Sequence, residues 1–288
     1  MKLAHDPIVD QTIKNEIQQL LKTVDYNSLD LDRWNIEEYF SAFKNWIASS
    51  KYNNITGLEK FDVLSYSCGS LESIVSFVHR HSVKKRLRFS KAEFVASKIA
   101  SNHCGATYLF LEDGEIEVND AVIISLPFSG NGDHYPNYNQ LIKHCDGLGV
   151  PVLLDVSYYG ISHGMSIDVN NKCITDVVFS LSKPMTVQLR LGIRFCKIDH
   201  DDLVQVNSNG KLFNRLSATI GIELMKKFSH NWLVEKYLPR YETVCKKYDL
   251  KQTPTFTLAT SDNIAYKQFQ RNGFNRICIT QELLDEND

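Results

Sequence analysis

Three places in this sequence set groups capable of chemistry at the ends of apolar runs. "VVFSLSK" (177–183) finishes such a run in Ser180, Leu181, Ser182 and Lys183. A lysine there is costly to desolvate unless something uses its amine, and a free amine condenses with an aldehyde to give a Schiff base. "PVLLD" (151–155) ends in Asp155, with Tyr158 three residues further on. A carboxylate so placed needs a cationic or proton-donating partner. Gly69-Ser70-Leu71 joins a strand to a helix. The unpaired N–H groups of a first helical turn, with the Ser70 hydroxyl, suit an anion such as phosphate. Arg190 could bring a rigid fork of donors to the same anion, and Ser180 and Ser182 could hold it or orient the lysine. Each piece alone has an ordinary alternative: a helix-capping serine, a solvated strand end, a structural lysine.

The elements that must position these groups follow from periodicity. Residues 8–24 and 31–50 carry helical spacing. From "DVLSYS" (62–67) onward the chain alternates strand and helix. "KRLRF", "TYLFLE", "AVIISLPF", "VPVLLDVSYYG", "DVVFSLS" and "LGIRFCK" read as strands, and "GSLESIVSFVHRH", "KAEFVASKIASNHCGA" and "YPNYNQLIKHCDGLG" as helices. Continuous rather than alternating apolar strands mean a mainly parallel sheet covered on both faces, so a three-layer α/β/α fold is expected. From about residue 211 two helices, then "TPTFTLAT" and "FNRICIT", suggest a small α+β unit. The expected organisation is an N-terminal helical segment (1–50), a large α/β domain (51–205) and a small C-terminal α+β domain (206–288). Ligands of open α/β sheets sit at the carboxyl ends of strands, which is where these three places fall, joined by a fourth strand end at Pro127 to Gly130.

The 288 residues are 43% hydrophobic, enough for a large core. A formal net charge of −2 argues against nucleic acid or anionic membrane as main partner. No apolar run reaches the length of a membrane span. Seven scattered cysteines without a C-x-x-C pair, behind a polar start, point to a reducing, cytoplasmic compartment. The histidines show no metal-binding spacing beyond the "HRH" of 79–81, so no metal is expected.

"LLDVSY", "SLSK" and "RLG" together resemble the fold-type-I pyridoxal phosphate (PLP) enzymes, specifically the class I/II aminotransferase family, over roughly residues 60 to 196. The resemblance implies that Lys183 carries pyridoxal 5'-phosphate as a Schiff base and later moves the substrate's α-proton. It implies that Asp155 pairs with the ring nitrogen and that Tyr158 hydrogen-bonds the phenolic oxygen. Gly69, Ser70, Leu71, Ser180, Ser182 and Arg190 fall to the phosphate side. Phe94 falls where the family stacks an aromatic on the ring. "GFNRICIT" (273–280) is similar to the family's closing segment, making Arg276 the residue that grips a substrate carboxylate. The implied partners are an amino acid or oxo acid and a second copy of the chain, as a homodimer. Tyr39 is a candidate for the tyrosine lent across that interface.

The sequence also departs from the pattern. Where the family has Asn-Pro-x-Gly, this chain reads "SLPFSGNGDHYP", so Asn131 is the candidate substitute for the missing asparagine. Arg190 follows Lys183 by seven residues rather than eight, and Pro184 comes directly after the lysine. The chain is shorter than usual in the parts that shape specificity. A transaminase is the expectation. The rivals are another PLP reaction (β-elimination, decarboxylation, racemisation or carbon–carbon bond formation) and a non-catalytic binding protein on the same fold.

Overall fold

The computed structural model describes residues 7–185, 188–271 and 273–284. In chain order the helices are α1 (Gln11–Thr23), α2 (Ile36–Ala48), α3 (Ser70–His81), α4 (Ala96–His103), α5 (Tyr138–Leu148), α6 (Leu203–Asn209), α7 (Arg215–Lys227), α8 (Trp232–Lys247) and α9 (Thr280–Leu284). The strands are β1 (Asn54–Thr56), β2 (Val63–Ser67), β3 (Arg86–Phe89), β4 (Tyr108–Phe110), β5 (Asp120–Ser125), β6 (Val152–Asp155), β7 (Ser166–Asp168), β8 (Ile174–Ser180), β9 (Gly192–Cys196), β10 (Lys251–Gln252), β11 (Leu258–Thr260), β12 (Gln270–Arg271) and β13 (Phe274–Cys278).

A seven-stranded sheet in the order β2-β9-β8-β6-β5-β3-β4 forms the middle layer. Strands β8, β6, β5, β3 and β4 run parallel, and β9 is antiparallel to both β2 and β8. The continuous apolar runs have the expected consequence: β5 and β6 are buried along their whole length, because helices cover both faces. On one face Ile74, Phe77 and Val78 of α3 pack on Leu87, Ile123, Leu153 and Val178. The other face belongs to a larger core that takes in Ile13, Tyr39, Val122, Ala218 and Ile277. The N-terminal helices, the sheet and the C-terminal segment thus share one apolar interior. A second sheet, β10-β11-β13-β12, lies in the C-terminal α+β region.

Three local expectations change. The helix read from residue 91 begins only at Ala96. Residues ahead of it are held in a turn by the Glu93 carboxylate, which accepts from the Phe94 N–H (2.8 Å) and from Ser125 and Ser129. The first of the two C-terminal helices begins at Arg215, four residues beyond its expected start, where the Asn214 side chain accepts from the Ser217 N–H and caps it. Tyr39 is fully buried, its hydroxyl donating to the Gly192 carbonyl at 2.9 Å. It is a core residue, closed off from any neighbouring molecule.

Candidate active site

The carboxyl ends of β2, β5, β6 and β8 bring the singled-out residues to one edge of the sheet. At the β2–α3 junction Gly69 adopts φ +70°, a conformation that favours glycine. A Cβ there would stand 2.9 Å from Arg190 Nη2 and 3.4 Å from Ser182 Oγ. Residues from two distant parts of the chain therefore meet where only a glycine leaves space. Arg190 donates to Ser182 Oγ at 3.4 Å and to the Cys68 carbonyl at 3.3 Å, bonds long enough to yield to a better acceptor. Ser180 Oγ accepts the Ser182 N–H at 3.1 Å, fixing the turn that delivers Lys183. Ser70 opens α3, a helix of 12 residues whose first N–H groups face the same junction, and Leu71 follows with its side chain exposed. The adjoining Ser67 hydroxyl is fully buried and has no hydrogen-bond partner.

Asp155 closes β6 beside Ser125 of β5. It is 7% exposed, accepts the Ser157 N–H at 3.0 Å and the Ser157 hydroxyl, and is reached by the Ser70 side chain. Burial pushes its carboxyl up to about 6, opposed by the Ser157 and Ser70 hydrogen bonds and reinforced by the charge of Glu93. Lys183 is half-buried, its Nζ 5.6 Å from the centre of the Tyr158 ring. Pro184 fits directly behind it because Gly160 has no side chain: a Cβ there would come within 2.8 Å of the proline ring. The Tyr158 hydroxyl accepts from Arg276 Nη2 at 3.3 Å, and Arg276 Nη1 donates to the Ser129 carbonyl at 2.8 Å. Strand β13 thus sends an arginine from the C-terminal region to the tyrosine beside the lysine. The buried Nε of Arg276 has no partner.

Two singled-out residues stand differently. Asn131 uses both ends of its amide in its own turn, donating to the His134 carbonyl at 3.1 Å and accepting the Asp133 N–H at 2.9 Å. Phe94 lies in the turn before α4 with its side chain 41% exposed. Sequence reasoning passed over Ser157, Ser67 and Glu93. The serines sit in the strand-end clusters and were legible as such. Glu93 was not, because its partners Ser125 and Ser129 come from another strand end.

Around a phosphate, these groups form a consistent cradle: a glycine whose Cβ would fill it, a guanidinium on weak bonds, two serines and a helix start. Asp155, buried and neighboured by a second acid, suits a cationic ring nitrogen. The residues present therefore fit pyridoxal phosphate.

No family model matches the sequence, and no curated protein matches it. Solved structures do match. A PLP-bound C–S lyase from Staphylococcus hominis, complexed with L-cycloserine, superposes with TM-score 0.69 at 15% identity, over 98% of this chain and 85% of that one. Tyrosine aminotransferase from Leishmania infantum gives 0.67 at 12% identity, over 97% and 89%. Histidinol-phosphate aminotransferase from Clostridium acetobutylicum gives 0.60 at 13% identity, over 96% and 93%. The chain has the fold of these enzymes, the fold-type-I architecture that the motifs of residues 153–192 imply.

Proposed function

We propose that this protein is a PLP-dependent aminotransferase acting on an α-amino acid. The observation that carries the reading is the meeting of Lys183, Tyr158 and Arg276 and, at the same edge of the sheet, of Gly69, Ser182 and Arg190. Lys183 would hold the cofactor covalently through Nζ. Asp155 would pair with the ring nitrogen, Tyr158 would donate to the phenolic oxygen, and Phe94 would lie against the ring. Gly69, Ser70, the Leu71 backbone N–H, Ser180, Ser182 and Arg190 would hold the phosphate. Asn131 would reach the site only by releasing its own turn, so Tyr158 and Arg276 are the donors in place beside the lysine. When bound, the cofactor supplies an electron sink for the bonds at the substrate's α-carbon. Arg276 would give up its bonds to Ser129 and Tyr158 for a bidentate grip on the substrate carboxylate. That grip orients the α-carbon, where the Lys183 amine takes the proton and returns it.

A C–S lyase shares the fold with the aminotransferases, which leaves β-elimination as the second reading. A homodimer is also part of the proposal. Leu71 and Val75 on α3, with Val95 and Ile99 at α4, are each 40–51% exposed on two helices that pack together beside the site, an apolar face suited to a second copy. Among the described residues no helix is long and apolar enough to cross a membrane, and all seven cysteines are unpaired, which accords with a reducing, cytoplasmic setting.

The test uses the purified protein loaded with PLP. After borohydride reduction, peptide mass spectrometry should find the cofactor's mass on Lys183. Lys183→Ala should remove it together with all turnover. An amino acid supplied alone should yield oxo acid in stoichiometric amount, whereas catalytic release of ammonia would select the lyase reading. Attachment elsewhere, or turnover surviving the substitution, would overturn the assignment.

A further inference from the structure

Glu93 belongs to none of the roles assigned above, yet its side chain joins three of them. It is 5% exposed. Its Oε1 accepts from the Ser125 hydroxyl (2.7 Å), the Ser129 hydroxyl (2.8 Å) and the Phe94 N–H (2.8 Å), and its Oε2 accepts the Ser125 N–H (2.9 Å). Ser125 is the residue paired across the sheet with Asp155. Ser129 is the residue whose carbonyl holds Arg276. Phe94 is the neighbouring aromatic. A single carboxylate thus ties the ring-stacking turn to the strand end beside the ring acid and to the loop behind the carboxylate-binding arginine. It also sets a second negative charge beside Asp155 and raises that acid's proton affinity.

We propose that Glu93 is a positioning residue. It locks residues 125–129 against the Phe94 turn and supplies, with Asp155, the paired negative field in which a pyridine nitrogen keeps its proton. The inference rests on the cofactor reading given above. It follows from Coulomb's law at short range in a water-poor site, and it distinguishes two properties of the ligand. The phosphate and ring shape do not depend on Glu93's charge in this way; the ring proton does.

The experiment compares two ligands on apoprotein: PLP and its 1-deaza analogue, in which carbon replaces the ring nitrogen. Wild-type apoprotein should prefer PLP. Glu93→Gln, which keeps the shape and removes the charge, should shrink that preference by about tenfold, the equivalent of one unit of proton affinity. A purely structural role would weaken both ligands equally and leave the preference intact, and that result overturns the proposal. Should E93Q fail to fold, Glu93→Asp keeps the charge and must keep the preference; its loss there overturns the proposal equally. If wild-type apoprotein binds neither ligand, the cofactor reading fails first and this inference with it. If it binds both and E93Q prefers PLP as strongly as wild type, only the role of Glu93 fails.

Discussion

Two buried aspartates on adjacent parallel strands behave in opposite ways. Asp155 ends β6, and Asp176 lies near the start of β8, paired in register with Leu153. Both are under 10% exposed. At Asp176 burial again opposes ionisation, but Arg80 Nη2 sits 2.5 Å away, His200 Nε2 3.7 Å away, and Arg194 adds its charge. Together they hold the carboxyl far below the usual range. Arg194 is itself clamped by Asp202 through bonds of 2.6 and 2.8 Å. Asp155 has serine donors and a neighbouring acid instead, and rises to about 6. Two residues further along in register, the same residue type changes from a finished counter-ion to an acid held by serine hydrogen bonds. Asp176, Cys196 and His200 lie within 4.8 Å of one another, the spacing of a metal site, but the guanidinium already on Asp176 makes a poor neighbour for a cation.

The contrast breaks most sharply by neutralising each acid. Asp176→Asn takes the nearer of two acids from Arg80, leaving Asp202 at 3.4 Å, and should destabilise the protein by about 3 kcal/mol, read as a fall in the urea midpoint at constant m-value. Asp155→Asn should leave the apoprotein as stable as wild type or more so, by on the order of 1–3 kcal/mol, because an ionised acid raised by burial opposes folding. The same variant should lose most PLP affinity in a titration. A fall in apoprotein stability as large as that of Asp176→Asn would erase the distinction.

Next in size is Gly69→Ala. Its φ of +70° and the 2.9 Å approach to Arg190 should reduce PLP affinity on the order of tenfold or more, with a smaller change in thermal midpoint. An unchanged affinity would remove Gly69 from the phosphate cradle.

The smallest effect is the pH slope, and its sign differs between the acids. Asp155 has a folded pKa above its unfolded 3.8, so its contribution is fully present below about 3.8 and is lost as pH rises through about 6. Asp176 has a folded pKa below 3.8, so its contribution is present above 3.8 and is lost as pH falls through the lowered folded value. On acidification from pH 7 to 4, the thermal midpoint of Asp155→Asn apoprotein should therefore fall more steeply than that of wild type. Parallel curves would mean that Asp155 titrates alike in both states.

What could be read from the sequence divides along the same line. The strand-end residues were legible because apolar runs that stop in Asp155, or in Ser180 to Lys183, announce both a strand and its polar mouth. Gly69 was legible because a glycine followed by serine marks a tight strand-to-helix turn. Asp176 was invisible: "ITDVVFS" reads as an apolar strand with a polar slip, and its partners lie 96 residues upstream at Arg80 and beyond it at His200 and Arg194. Glu93 was hidden in the same way, as an acid whose donors arrive from another strand. Arg190 was identified by type, yet its φ of +51°, which turns the chain back toward Gly69, has no local signature. Local pattern finds residues gathered at strand ends, whereas residues that satisfy one another across the sheet need the topology.

Helix α3 has a part at both acids. Ser70, its first residue, reaches Asp155, and Arg80, its last but one, grips Asp176. Its 12 residues span roughly 18 Å. For anyone redesigning this scaffold, that span works as a fixed gauge. Inserting or deleting one residue would rotate the far end by about 100°, so the anchor and the mouth could not both stay engaged.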